Sequence, residues 1–306
     1  MSRRKPLIIV FVLFTMVLSA QTTDLARLEL LHLPFSNSDN SLTRYRVLAQ
    51  FPIPVHKDKK NFIVVGSEYR YLDINISDAE DRFSSVKNHV NSFQEIDAYV
   101  AYTWEHNKVW RFGAKIGPKL QSDFEGTLQK DDILFEVGIY AIKDKRKNVA
   151  EGEKPSRFIF GLTYSNTPGR WFPLPILNYY KEFHPNWTYT LGLPKTNIRH
   201  YLNRKRKDAI QAFVTLDNDY ANIHQDFAPN SPDQNPDKRI AENIQVTMGI
   251  AGVGYEHFFT ENLLFYAYVA HSVYSNFRFE DNDGNKVYQI NNENSPYFRT
   301  GLKFKY

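Results

Sequence analysis

Hydrophobic and polar residues alternate one by one along most of the chain after residue 20. Between Ile96 and Trp104, for example, apolar side chains such as Val100 share one face, while Glu95 and Asp97 share the other. A period of two residues is typical of a β-strand with two unlike faces, and convincing helical periodicity is nearly absent. The pattern therefore predicts an all-β fold.

Twelve segments carry the alternation: 24–35, 41–53, 61–76, 91–105, 109–122, 131–142, 156–165, 171–182, 208–222, 240–259, 262–279 and 291–306. Many have ten or more residues, whereas strands of soluble proteins usually have about five or six. One face is apolar and aromatic, and the other carries charges at mid-strand. Closed barrels with strands of about 9–11 residues span bilayers with such faces. We therefore expect a single transmembrane antiparallel β-barrel of about twelve strands, with ten to fourteen possible.

The strand number depends on the stretch from Trp187 to Leu202. Its first half alternates, Pro194 interrupts it, and the alternation resumes at Ile198. Proline cannot donate a hydrogen bond to a strand ladder. This stretch either adds two short strands, making fourteen, or folds as an inward or periplasmic excursion.

The N-terminus has the pattern of an export signal. Three cations, Arg3, Arg4 and Lys5, precede an apolar run over 7–17, and the small residue Ala20 precedes Gln21. The run has the length of a signal-peptide core and is short for a transmembrane helix. We expect cleavage between Ala20 and Gln21, so that residues 1–20 are removed and 21–306 form the barrel.

The connections between the predicted strands alternate in length and charge. One set contains tight turns and basic segments: 57–60, 106–108, 143–147, 204–207 and 260–262. The intervening set is often longer and acidic: 78–81, 123–132, 217–237 and 280–283. Short turns belong to the periplasmic side of membrane barrels and long loops to the outer side. This predicts both chain ends on the periplasmic side.

The last ten residues, YFRTGLKFKY, alternate strictly, with Phe304 and Tyr306 as the final aromatic residues. This resembles the C-terminal signal of Gram-negative outer-membrane proteins. The middle of the chain, with PLPILNYY, Trp187 and LGLP, resembles a family of outer-membrane β-barrels of unknown function. The resemblance implies a Gram-negative outer membrane, with its lipids and the barrel-assembly machinery as partners, and it assigns no chemistry.

Composition excludes several classes of protein. The 306 residues include 38 Lys and Arg against 34 Asp and Glu. Without the first twenty residues 35 basic residues face 34 acidic ones, so we expect no nucleic-acid partner. The absence of cysteine excludes a disulfide scaffold, a thiolate metal site and a cysteine nucleophile.

The histidines form no recognisable catalytic or metal motif. None of the nine pairs with another at helical i, i+4 spacing, and no His-Glu-x-x-His occurs. The His-x-Ser pair of outer-membrane phospholipases and lipid deacylases is also missing. Omptin-type proteases use paired aspartates and an Asp-x-His; the chain has Asp131 and Asp132 but no Asp-x-His. We therefore predict no enzymatic activity and no catalytic residue, cofactor or metal site.

The polar strand faces point to the barrel interior. Ten basic and four acidic residues are expected to line it: Arg44, Arg46, Glu68, Arg70, Glu95, Asp97, Arg111, Lys115, Lys119, Glu136, Arg157, Arg299, Lys303 and Lys305. They would form either a salt-bridged filled core or an anion-leaning passage. The leading hypothesis is a channel-like or structural barrel that passes small solutes of unknown identity. The alternatives are an outer-membrane enzyme and a secreted soluble β-sandwich that binds glycans.

Overall fold

The computed structural model describes residues 24–77, Val86, 90–165 and 173–305. The predicted export signal 1–20, its cleavage site at Ala20 and Gln21, and the terminal Tyr306 lie outside this part. The strands are β1 (Asp24–Pro34), β2 (Ser41–Pro54), β3 (Asn61–Asn75), β4 (Ser92–Glu105), β5 (Trp110–Ser122), β6 (Ile133–Asp144), β7 (Ser156–Ser165), β8 (Leu174–His184), β9 (Trp187–Leu193), β10 (Lys195–Tyr201), β11 (Asp208–Phe227), β12 (Ala241–Phe258), β13 (Leu263–Glu280), β14 (Lys286–Asn291) and β15 (Pro296–Lys305). Among the described residues, no helix is long and apolar enough to cross a membrane.

The strands form a closed antiparallel barrel. Each strand from β1 to β13 pairs with its neighbour in the chain, and β15 closes the ring between β13 and β1. The ring has fourteen strands within the described ranges, and β14 forms a hairpin with β13 outside it. This closed ring does not favour the alternative of a soluble β-sandwich.

The predicted number of about twelve strands is too low by two. The extra strands are β9 and β10, which have seven residues each and meet at Pro194. Strands this short give a weak alternation signal, and Pro194 interrupts it at the turn. The segment 187–202 therefore belongs to the barrel wall, as the first of its two interpretations proposed.

The barrel wall is uneven in height. The tight turns and basic connections all lie at the end where β1 begins and β15 ends, which we call the lower end. Toward the opposite, upper end, β11, β12 and β13 extend over 18–20 residues, whereas β9 and β10 have only seven. One side of the barrel therefore rises well above the other.

The barrel narrows toward its upper end. The ladder between β10 and β11 ends at the pair Lys195 and Thr215. Farther along β11, Asn222 makes a parallel bridge to Ser122 at the end of β5. Above the level of the Lys195–Thr215 pair, β1–β5, β11–β13 and β15 surround a smaller space, which we call the upper ring. The fourteen-stranded part below is the lower ring.

The upper ring is filled by apolar side chains. Ile244, Val246, Met248 and Ile250 of β12 are almost fully buried and pack in a cluster with Phe93 and others. The sequence pattern put these four residues on one apolar face, which a simple membrane barrel turns toward lipid. The structure turns this face inward, because inward side chains meet across the narrow ring and exclude water. Alternation separates two faces and does not say which one is buried.

The outside of the lower ring is apolar. Outward side chains such as Val100 and Ile116 are about half exposed. At the lower end a row of aromatic rings with centroids 5.6–6.5 Å apart runs from β4 to β9: Tyr102, Trp104, Phe112, Trp110, Phe160, Phe158, Tyr179, Tyr189, Phe183 and Trp187.

The height of this surface matches a bilayer. Toward the upper end, Tyr45 and Tyr71 pack against each other on the outer face. Trp104 and Gln94, the partner of Tyr71, lie ten residues apart on β4. This spacing corresponds to about 34 Å along the strand. For a strand tilted by about 40°, it corresponds to a height of about 25 Å along the membrane normal. An apolar band of this height, bordered by aromatic residues, is typical of a membrane-spanning barrel.

Candidate functional site

All fourteen predicted interior residues lie on inward faces of the strands. A continuous chain of ion pairs joins ten of them through shared carboxylates: Arg44, Arg46, Glu68, Arg70, Glu95, Asp97, Lys115, Lys119, Glu136 and Arg299. Arg111 pairs with Glu105 nearer the lower end, where Arg157 also lies. Lys303 and Lys305 have no carboxylate within 4.0 Å among the described residues.

Four interior carboxylates escaped the sequence analysis: Glu29, Asp217, Asp219 and Glu256. Asp217 and Asp219 lie both in the predicted strand 208–222 and in the acidic connection predicted over 217–237. The strand prediction is confirmed at these positions, and the connection begins later, because β11 continues to Phe227. Three inward cations also escaped the sequence analysis: Arg27, Lys195 and Arg199. The additions of both signs therefore nearly balance, and the ratio of basic to acidic side chains is lower than the predicted ten to four.

Arg44 connects opposite walls of the barrel. It lies on β2 and is 1% exposed. Its Nη1 donates to Asp219 at 2.6 Å, and its Nη2 donates to Asp217 at 2.8 Å, both on β11. Buried charges need such close partners to compensate for lost hydration. These pairs form an ionic layer between the apolar upper ring and the space below.

A polar cavity of about 600 Å³ lies below this layer, and we call it the chamber. Its charged lining consists of seven cations and four carboxylates among the described residues: Arg27, Arg46, Arg70, Lys119, Lys195, Arg299, Lys303, Glu29, Glu95, Glu136 and Asp217. The lining also includes Leu174, Pro194 and Leu216, on the low side of the wall. The chamber therefore reaches the rim of the short strands.

Charges are paired unevenly around the chamber. On the β3–β6 side, Arg70 contacts Glu68 at 2.5 Å, and Lys119 contacts Glu136 at 3.3 Å. On the opposite side the ammonium groups rest on aromatic rings. Lys195 lies 4.8 Å from the ring centroid of Tyr268, and Lys303 lies 4.5 Å from that of Tyr266. The surplus positive charge is thus concentrated on the side formed by β10, β13 and β15.

Three carboxylates come close enough to suggest a metal site. One oxygen from each of Glu68, Glu95 and Asp97 lies within 4.8 Å of the others. However, Arg46 and Arg70 both contact Glu68, and Lys119 contacts the other two carboxylates. The chain's own cations already occupy this cluster, so its geometry fits an ion-pair network.

A second polar cluster, unseen in the sequence motifs, lies at the upper end. His224 Nε2 lies 2.8 Å from Asp132 and 3.0 Å from the Ser122 hydroxyl. Its Nδ1 lies 2.7 Å from the Glu125 carbonyl oxygen. A catalytic Ser-His-Asp triad places aspartate and serine on opposite imidazole nitrogens. Here both share Nε2, and a carbonyl occupies Nδ1, so the cluster fits a structural clamp between β11 and the β5–β6 connection.

The clamp favours a charged histidine. Burial alone lowers the pKa of His224, but hydrogen bonds to Asp132 and the Glu125 carbonyl outweigh it and raise the pKa above 6.5. Burial raises the pKa of Asp132, but hydrogen bonds from Asn222 and the Gln129 backbone outweigh this and lower it. Both shifts stabilise the imidazolium–carboxylate pair that fastens β11 beside its bridge to β5.

Three solved structures of membrane barrels resemble this chain at low similarity. A KdgM porin in complex with disordered oligogalacturonate has 7% identity and a TM-score of 0.37, over 92% of this chain and 99% of that one. A TodX monoaromatic hydrocarbon channel mutant has 8% identity and a TM-score of 0.36, over 92% and 90%. Outer membrane phospholipase A from Escherichia coli has 10% identity and a TM-score of 0.32, over 95% and 93%. TM-scores below 0.5 support no conclusion about this chain.

Among curated proteins, none matches the sequence. A family model described as domain of unknown function (DUF6268) matches residues 35–305. This match covers the barrel from the end of β1 to the last residue of β15. The chain therefore belongs to the DUF6268 family, whose function is unknown.

Proposed function

We propose that this chain is a channel-like barrel of a Gram-negative outer membrane that passes small anionic solutes through its chamber. The observation that carries the proposal is the chamber lining, in which seven cations face four carboxylates. The apolar band with its row of aromatic rings supports the membrane location. Outer-membrane lipids and the barrel-assembly machinery are the partners we expect.

Fixed positive charge favours anions in a narrow aqueous space. Lys195 and Lys303 have aromatic rings beside them and no carboxylate within 4.0 Å in the described part of the chain, so their amino groups are open to a solute. Such charges lower the barrier for anions and raise it for cations. Their field is screened over about 8 Å at physiological salt, so the preference weakens as salt rises.

The proposed route avoids the barrel axis. The apolar cluster and the Arg44 ion pairs fill the upper ring. The chamber lining instead extends to Pro194 and Leu216 on the low side of the wall. We place the outer mouth of the route there and its inner mouth at the lower end of the barrel.

A second candidate is a structural barrel that does not conduct. The filled upper ring favours it, because buried apolar side chains such as Leu72, Ile74 and Met248 pack together across it. Conductance of the purified barrel in a planar bilayer separates the two candidates.

The test is the reversal potential of the folded barrel in a KCl gradient. We expect chloride preference that declines as total salt rises. Reversing Lys195 and Lys303 together to Glu should shift selectivity toward potassium. The matched control, Lys205→Glu with Lys207→Glu, changes the same charge in an exposed lower turn and should leave selectivity nearly unchanged. A cation-selective wild type would contradict the proposal, and a folded barrel without conductance would favour the structural barrel.

A further inference from the structure

Three cations converge on two adjacent tyrosine rings in the chamber wall. The ring centroids of Tyr266 and Tyr268 are 4.9 Å apart. Lys303 lies over the first ring, while Lys195 and Arg299 lie over the second at 4.8 and 5.6 Å from its centroid. We call these five residues the cationic cradle. Its members come from β10, β13 and β15 and line or adjoin one cavity.

The cradle's cations retain hydrogen-bonding capacity. Neither Lys195 nor Lys303 has a carboxylate within 4.0 Å in the described part of the chain. Arg299 has only long contacts, 3.9 Å to Glu29 and 3.8 Å to Asp217, and its buried Nε has no acceptor among the described residues. A buried donor without a partner is costly and is usually satisfied by water or a ligand.

Two carboxylates near the cradle, Glu256 and Glu29, also pair with other groups. Glu256 pairs with Arg199 at 2.9 Å and accepts hydrogen bonds from Gln211 and Tyr268. Glu29 accepts a hydrogen bond from Tyr266 at 2.6 Å. The two tyrosine hydroxyls therefore point toward these carboxylates, and their ring faces remain toward the cations. The cradle therefore keeps donor positions on Lys195, Lys303 and Arg299 that no described carboxylate fills at close range.

The cradle's cations also repel one another. Lys195 lies within electrostatic range of Arg299 and Lys305 on one hand and of Glu256 on the other. Lys303 lies within range of Lys195 and Arg27, and also of Asp24. Like charges that share a partly buried site repel one another. A bound anion with several oxygens would relieve this repulsion and fill the free donor positions.

We propose that the cationic cradle is a binding site for a small dianionic oxyanion, such as a phosphate monoester or a short dicarboxylate. The inference rests on the proposed anion passage and names its substrate class. The planar guanidinium of Arg299 suits two oxygens of one phosphate or carboxylate, and the two ammonium groups supply further donors. A monoanion neutralises only part of the positive charge, so dianions are preferred.

Calorimetric titration of the full folded barrel in detergent tests the site with malonate, inorganic phosphate and acetate at pH 6.5 and equal ionic strength. We expect malonate, phosphate or both to bind, and acetate to bind at least about tenfold more weakly. Lys195→Gln and Lys303→Gln should each weaken binding about tenfold, since a hydrogen bond to a charged group contributes about that factor. Lys115→Gln is the matched control, because this inward lysine pairs with Glu136 at 2.7 Å outside the cradle.

Binding that is unchanged in both cradle variants, or acetate binding as strong as that of both dianions, would overturn the inference. Absence of binding in a barrel whose gel migration shows that it is folded would also overturn it. The titration does not require conduction. A barrel that binds malonate but carries no current would therefore contradict the proposed passage and leave the binding site intact.

Discussion

The upper and lower rings share nine strands of the described barrel, yet their interiors differ completely. On β3 the inward residues Leu72 and Ile74 belong to the apolar cluster, whereas Glu68 and Arg70 lower on the same strand belong to the ion-pair chain. The change occurs at the level of Arg44. It coincides with the narrowing that begins where β11 leaves β10.

The difference teaches how wall geometry sets the chemistry of a barrel interior. In the narrow ring, inward side chains reach one another and pack as in a soluble core, so apolar residues are stabilising. In the wide ring, below the ion pairs of Arg44 and Arg70 with β11, the interior holds charges and open space. The five strands β6–β10, which do not take part in the upper ring, produce the width. The long β11–β13 continue upward and help to form the narrow apolar ring above it.

The largest effect is expected at the junction between the rings. Arg44→Met should destabilise the folded barrel by about 3–5 kcal/mol, because Asp217 and Asp219 would remain buried without their closest cationic partner. Urea unfolding in lipid vesicles measures this loss. The control Arg111→Met removes a cation whose partner Glu105 is one-third exposed, and we expect less than about 1 kcal/mol. Equal losses of stability in the two variants would contradict the importance of the Arg44 ion pairs.

A substitution of intermediate effect sharpens the contrast between the outer and inner faces of the lower ring. Ile116→Arg places a cation on the apolar outer surface and should cost about 2–4 kcal/mol at mid-bilayer depth. Its neighbour Lys115 faces inward, and Lys115→Gln should cost clearly less. The two free energies of unfolding are compared under the same conditions. A reversed order would show that the faces are assigned the wrong way round.

The smallest effect concerns the clamp of the upper ring. The pKa of His224 is raised above 6.5 in the folded barrel. The charged His224 therefore stabilises the fold fully below pH 6.5, and this contribution is lost as pH rises through the raised pKa. The lowered pKa of Asp132 gives stabilisation above 3.8 that is lost at lower pH. Going from pH 6 to pH 9 should weaken the clamp by about 1.5 kcal/mol.

The weakening of the clamp is measured by hydrogen exchange of the backbone amides near Asn222, corrected for intrinsic exchange rates. His224→Asn should abolish the difference between the two pH values. If the wild-type amides are equally protected from exchange at both pH values, the proposed role of His224 as a clamp is wrong.

The fold was largely readable from local patterns. The predicted bounds of β2, β4 and β7 agree with the structure within about a residue, since the two-residue period depends only on neighbouring side chains. The interior was harder, because it depends on distant parts of the chain. Asp217 resembles the start of an acidic loop until Arg44, 173 residues earlier, is seen beside it. Likewise, His224 and Ser122 meet across 102 residues without any shared motif.

The central claim, a dry upper ring above an aqueous cationic chamber, is most directly tested by single cysteines. The natural chain has none. In lipid vesicles, Thr163→Cys in the chamber lining should react quickly with a negatively charged methanethiosulfonate and more slowly with a positively charged one. Met248→Cys, in the buried cluster of the upper ring, should react with neither on the same timescale. Equal reactivity of the two cysteines, or a faster reaction of Thr163→Cys with the positively charged reagent, would contradict the account.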